Sequence, residues 1–126
     1  MNAGSPELAA FIERYVAMWN EPGPVRRRSL IEGLWTADGA NFTRAGEYRG
    51  HDALEARVRI AHEKWVRDGN CLFHTRSFDS HHGAVRFTWE MVSTTDGKVI
   101  SVGLEFLALS GDGRIREDYQ FIEPSA

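Results

Sequence analysis

The hydrophobic period of this chain changes once, at Cys71. Upstream of it, apolar residues recur at the 3–4 residue spacing of amphipathic helices; downstream, they alternate every second residue, as strands do. Helices first and strands afterwards indicate an α+β fold, with the helices packed on one face of a curved sheet. Four long strands are expected, about 71–81, 84–95, 98–110 and 114–123, broken by His82-Gly83, Asp96-Gly97 and Gly111-Asp112-Gly113. All three breaks carry hairpin chemistry, so the strands form an antiparallel meander.

The helical half divides in three. Ser5 caps a first helix, Pro6 suits its first position, and Glu7 complements the positive end of its dipole. Leu8, Phe11, Ile12, Tyr15, Val16 and Trp19 make one broad apolar face. Asn20 to Pro24 ends it. A short second helix runs from about Val25 to Trp35, with Leu30, Ile31, Leu34 and Trp35 inward and Arg26-Arg27-Arg28 on a solvated face. Asp38-Gly39 marks a turn before two short strands, Ala40 to Arg44 and Glu47 to Arg49. A third helix, about His51 to Arg67, turns Leu54, Val58, Ala61 and Trp65 inward and stops at Asp68-Gly69-Asn70.

With 126 residues the chain fits a single domain, 1–126, large enough to bury a core that contains a pocket. A net charge of −3 gives no electrostatic footprint for nucleic acid or anionic lipid. No apolar run is long enough to span a membrane. MNAGSPELAA has no basic region followed by an apolar stretch, so a secretory leader is not expected. One cysteine, Cys71, forms no intrachain disulfide and fits a reducing, cytoplasmic setting. No metal-ligand spacing and no phosphate-binding loop is present: His81-His82 lies at a hairpin, and neighbouring strand residues point to opposite faces. Neither a metal nor any other cofactor is expected.

The alternation of the strands places side chains. Val85, Phe87, Trp89 and Met91 should face the helices. Val99, Ser101, Gly103, Glu105 and Leu107 share one face of the following strand, and Ile100, Val102, Leu104, Phe106 and Ala108 the other. Glu105 is thus a carboxylate within the most apolar strand. The last strand offers Arg116, Asp118, Gln120 and Ile122 on one face, and Glu117, Tyr119 and Phe121 on the other. His74, alternating with Leu72, Arg76 and Phe78, is expected inward. Apolar residues on both sides of a strand suggest a central position or a sheet-to-sheet homodimer through the outer face. The 4 Trp, 7 Phe and 3 Tyr then divide between a pocket lining and that second surface.

Arg14-Tyr15-Val16-Ala17 to Asn20, Leu34-Trp35-Thr36-Ala37-Asp38-Gly39-Ala40, Tyr48-Arg49-Gly50 and Gly111-Asp112-Gly113-Arg114-Ile115, in this order, resemble the nuclear transport factor 2-like superfamily. It includes ketosteroid isomerases, SnoaL-like polyketide cyclases and limonene epoxide hydrolases. The resemblance implies a cone-shaped roll: three N-terminal helices on a strongly curved mixed or antiparallel sheet, with a pocket at the open end and dimers common. It also implies site residues. Tyr15 falls where ketosteroid isomerases keep an oxyanion-hole tyrosine, and Glu105 where they keep a protonated aspartate. The general base of those enzymes falls near Arg44, which stays protonated and cannot serve; Arg44 could instead pair with Glu105 or bind an anionic group. The acid/base aspartate of the cyclases falls at Gln120, with Asp118 two residues earlier on the same face. Limonene epoxide hydrolases need an Asp-Arg-Asp set, for which Arg44, Arg76 and Asp118 supply only the residue types.

The sequence reading is therefore a binder of a small apolar or aromatic molecule, acting by isomerase- or cyclase-like acid/base chemistry, or a non-catalytic carrier or association domain. Tyr15 and Glu105 are candidate donors, Asp118 or His74 the proton acceptor. Arg44 and Arg76 would orient a carbonyl or carboxylate, and Trp19, Phe87, Trp89 and Gln120 would contact the ligand.

Overall fold

A computed structural model describes residues 4–123. Residues 1–3, where the leader reading begins, and 124–126 lie outside them. Three helices come first: α1 (Pro6–Asn20), α2 (Pro24–Leu34) and, after a short hairpin of β1 (Trp35–Thr43) and β2 (Gly46–Arg49), α3 (His51–Ala61). A π-helical segment (His62–Arg67) continues α3, and the meander β3 (Cys71–His81), β4 (Ala84–Ser93), β5 (Val99–Leu109) and β6 (Ile115–Ile122) completes the chain. The six strands form one sheet in the order β2-β1-β6-β5-β4-β3. Every neighbouring pair is antiparallel except β1 and β6, which run parallel.

Helix α1 starts as its sequence demands: the Ser5 side chain accepts from the Leu8 N–H at 3.1 Å. Its apolar stripe packs on the inner face of the sheet, where Tyr15, Phe11, Trp35 and Phe87 are among the largest fully buried side chains. Each such side chain contributes roughly 1.5–3 kcal/mol by leaving water.

Four features depart from the sequence expectation. First, β1 begins at Trp35, and Asp38-Gly39 lies inside it. Trp35 pairs with Ile115 and Ala40 with Glu117, so β1 bulges between the two pairs. Gly39 permits this, since a Cβ there would stand 2.9 Å from the Ile115 carbonyl. Second, the basic run is not wholly solvated. Arg27 is buried and its Nη2 donates to the Glu21 carbonyl at 2.9 Å, while Arg28 joins Asp52 and Glu55 at 2.8 and 2.6 Å, tying α2 to α3. Third, α3 gives way to the π-helical segment at His62, whose buried Nδ1 lies 3.0 Å from the Trp19 carbonyl oxygen. Trp65, in the same segment, stays partly exposed at the edge of the core.

The fourth departure bears directly on the site. Thr75 pairs with Trp89 and Ser77 with Thr88, which leaves Arg76 as an unpaired bulge residue in β3. Ahead of it, Phe73 packs against the core and Leu72 and His74 are exposed; beyond it, Ser80 is buried. A strict alternation through this strand therefore misplaces His74, because the extra residue inverts the faces.

The outer face of the sheet carries aromatic residues. Phe42 stacks on Tyr119 with ring centroids 4.9 Å apart, and Phe106 and Phe121 are exposed beside them. Among the described residues, no helix is long and apolar enough to cross a membrane.

Candidate functional site

Three polar side chains meet beneath α1. Tyr15 belongs to the buried stripe of α1, with its ring edge-on to Phe87 at 5.0 Å. Glu105 and Asp118 come from adjacent strands. Glu105 is registered with Gln120 and Leu107 with Asp118, so the two acids are diagonal neighbours on the inner face. The Tyr15 hydroxyl lies 3.1 Å from Glu105 Oε1 and donates to Asp118 Oδ2. Trp89 Nε1 donates to Glu105 Oε2 at 2.7 Å. Both carboxyl groups are fully buried.

Burial of two acids together decides where the protons sit. Desolvation raises the pKa of Glu105 well above the usual carboxylate range, and the neighbouring Asp118 charge raises it further. Desolvation also raises Asp118, but only to about 6, because hydrogen bonds from Glu105, Tyr15 and Asn41 and the positive charge of Arg57 favour its anion. Tyr15 is held in its phenol form by burial and by the two acids. The two acids therefore titrate as a pair, with the anion favoured on Asp118 and the proton favoured on Glu105.

A cavity of about 260 Å³ opens onto this cluster. Tyr15, Glu105, Trp19, Phe87, Trp89 and Gln120 contribute to its wall; Asp118 stands behind them and does not reach it. The structure thereby gathers Tyr15, Glu105 and Asp118 with the four expected contact residues Trp19, Phe87, Trp89 and Gln120. It does not gather the other three. His74 is exposed and registered opposite Glu90 on the far side of the sheet. Arg76, the bulge residue, lies half-exposed 3.6 Å from Glu90. Arg44 sits exposed in the turn after β1, beside the outer-face rings Phe42 and Tyr119, and makes no ion pair with Glu105 among the described residues.

The cation of the cavity is instead Arg57 on α3, which the sequence reading passed over. Its position gave a signal: it falls three residues after Leu54 and four before Ala61, on the stripe that packs inward. The inward polar residue of β1 is Asn41, whose Nδ2 donates to the Asp118 carbonyl at 3.5 Å. Among the described residues, no group of three or more His, Cys, Asp or Glu side chains could hold a metal ion.

No protein-family model matches the sequence, and no curated protein does. Solved structures match throughout. A candidate isomerase of the SnoaL-like family from Agrobacterium tumefaciens is 25% identical over 92% of this chain and 97% of its own, with a TM-score of 0.83. A cystatin-like-fold protein of unknown function from Methylobium petroleophilum is 19% identical over 100% and 82%, with a TM-score of 0.72. A candidate ketosteroid isomerase from Kribbella flavida is 13% identical over 98% and 83%, with a TM-score of 0.69. The fold of this chain is the nuclear transport factor 2-like, cystatin-like one, and SnoaL-like and ketosteroid isomerase-like proteins share it.

Proposed function

We propose that this chain binds a small, largely apolar, carbonyl-bearing molecule in the cavity and moves a proton on the carbon next to that carbonyl, as isomerases and cyclases do. The observation that carries this reading is the buried Tyr15–Glu105–Asp118 cluster at the wall of an apolar cavity. Two acids sharing one proton in a dry site can act in both directions. Glu105 passes its proton to Asp118 and becomes the carboxylate that faces the ligand. It then accepts the proton on the α-carbon, while Tyr15 donates a hydrogen bond to the enolate oxygen as charge develops there. Return of the proton to a different carbon completes an isomerisation, and no external acid or base is consumed. The names of solved structures that share the fold, candidate isomerases among them, fit this chemistry.

The test is hydrogen exchange at the α-carbon of a neutral cyclic ketone, 2-tetralone, in D2O, followed by NMR. The wild type is expected to accelerate exchange over buffer. Glu105→Gln is expected to lose roughly 10²–10⁴-fold of that acceleration, the range for a positioned acid or base. One observation favours a second reading, a non-catalytic carrier: the carboxyl that faces the cavity is the one that burial keeps protonated. Saturable binding of 2-tetralone with no acceleration of exchange establishes the carrier and removes the enzyme.

The aromatic outer face supports a homodimer. Phe106 and Phe121 are exposed there next to the stacked Phe42 and Tyr119, and a second copy of the same face would cover them. A reducing, cytoplasmic setting accords with a lone buried cysteine, Cys71.

A further inference from the structure

Arg57 stands at the cavity wall with no carboxylate in ion-pair contact among the described residues, although its charge is felt by Asp118 behind that wall. Its guanidinium stands over two rings, 5.2 Å from the Trp19 centroid and 5.4 Å from that of Tyr48. Its Nη2 donates to Gln120 Oε1 at 3.3 Å. Its Nε is buried and has no hydrogen-bond partner. The arginines around it are paired: Arg28 with Asp52 and Glu55, Arg59 with Glu63. Among the described residues, Arg57 forms no ion pair.

A guanidinium stacked on aromatic faces is fixed in orientation, and a donor buried without an acceptor is costly unless a ligand supplies one. Gln120 extends the argument. Arginine only donates, so the bond from Arg57 occupies the Gln120 carbonyl and leaves the amide NH2 as the free end of a side chain that also lines the cavity. Gln120 is in turn registered with Glu105 across β5 and β6. Arg57 is thus one side chain away from the acid pair, with donors to spare on a wall that is otherwise mostly aromatic and aliphatic.

We propose that Arg57, supported by Gln120, is the specificity-determining anion anchor of this cavity, and that the natural ligand is a small aromatic or alicyclic carboxylate. Its carboxylate accepts hydrogen bonds from Arg57, and its ring lies among Trp19, Phe87 and Trp89. The inference rests on the cavity being the ligand site, as in the reading above, and does not require proton transfer.

The test compares two probes of the same shape, 2-naphthoate and 2-naphthamide, by quenching of tryptophan fluorescence at pH 7.5, where the first is anionic and the second neutral. The wild type is expected to bind 2-naphthoate roughly ten- to a hundredfold more tightly, the advantage of charge-assisted hydrogen bonds. Arg57→Gln is expected to erase that preference while keeping affinity for 2-naphthamide, which also reports that the variant is folded. Gln120→Glu, which gives Arg57 an internal carboxylate, is expected to erase it as well. Equal binding of the two probes by the wild type, or a preference that survives Arg57→Gln, overturns the anchor alone. Failure of both probes to bind the wild type overturns the cavity as the ligand site and the proposed function with it.

Discussion

Glu105 and Asp118 have similar intrinsic acidity, yet the site separates them through their partners. Asp118 receives hydrogen bonds from Tyr15 and Glu105 and feels Arg57, so it ionises first. Glu105 then faces a neighbouring charge and keeps its proton. Tyr15 is the hinge of this arrangement, since its hydroxyl reaches both acids. Tyr15→Phe removes a donor that favours the Asp118 anion. The apparent pKa of Asp118, about 6 in the wild type, is expected to move upward, and carboxyl-carbon NMR titration measures it. An unchanged or lower value would show that the tyrosine does not hold the anion. Sequence alone exposed Glu105, because a carboxylate in an apolar strand violates the alternation around it. It did not expose Arg57, because a long side chain on an amphipathic helix reads equally well as a solvated residue next to the stripe. Only the aromatic rings of Trp19 and Tyr48, contributed by distant elements, turn it toward the cavity.

Elements aim these residues, and one glycine has a leading part. A Cβ on Gly103 of β5 would lie 2.2 Å from Cζ2 of Trp89. The bare backbone there lets the indole lie flat against the strand and reach Glu105, two residues along, with its N–H. Gly103→Ala forces the ring away. It is expected to cost roughly 1–3 kcal/mol, the range for overpacking a core, and to break the Trp89–Glu105 bond. Urea unfolding measures the first effect, and a shift in tryptophan emission the second. Stability and emission both matching the wild type would remove Gly103 from this role. The elements themselves were readable wherever period and turn chemistry agreed, as in the three hairpins of the meander and the capped start of α1. They were unreadable where one residue too many entered a strand. The bulge at Arg76 carries no sequence mark, since Arg is at home on an exposed strand edge, yet it turns His74 from the expected interior to the surface. Asp38-Gly39 has the composition of a turn and becomes a bulge, because β1 pairs in parallel with β6. That partner lies about eighty residues away, beyond any local signal.

At the scale of the molecule, two consequences of the architecture can be measured. The helices cover only one face of the sheet, and the aromatic residues on the other are the proposed dimer contact. Phe106→Lys places a charge at its centre and is expected to convert a dimer to a monomer in sedimentation while leaving the inner face intact; a wild type that sediments as a monomer at micromolar concentration removes the dimer. The second consequence is a pH dependence of stability set by the buried acids. The Asp118 pKa is raised on folding from 3.8 to about 6, so the folded state holds this proton more tightly than the unfolded chain does. Its contribution to stability is present in full below about pH 4 and is lost as the pH rises through 6. A shift of this size corresponds to about 3 kcal/mol, and Glu105, raised further, acts in the same direction at higher pH. Surface acids act in the opposite direction: the pKa values of Asp68 and Asp112 are lowered by Arg67 and by Ser110 with Arg114, but these exposed groups are screened by solvent. The buried pair therefore governs the slope between pH 5 and pH 8, and the wild type is expected to lose stability across that interval. Asp118→Asn carries no ionisable proton at this site and is expected to flatten the profile, so that its stability relative to the wild type improves as the pH rises. Urea unfolding of both proteins at pH 5, 6.5 and 8 measures the two slopes. Parallel profiles would mean that Asp118 holds its proton no more tightly in the folded core than in the unfolded chain, so that burial does not raise its pKa and the acid pair does not share a proton near neutral pH.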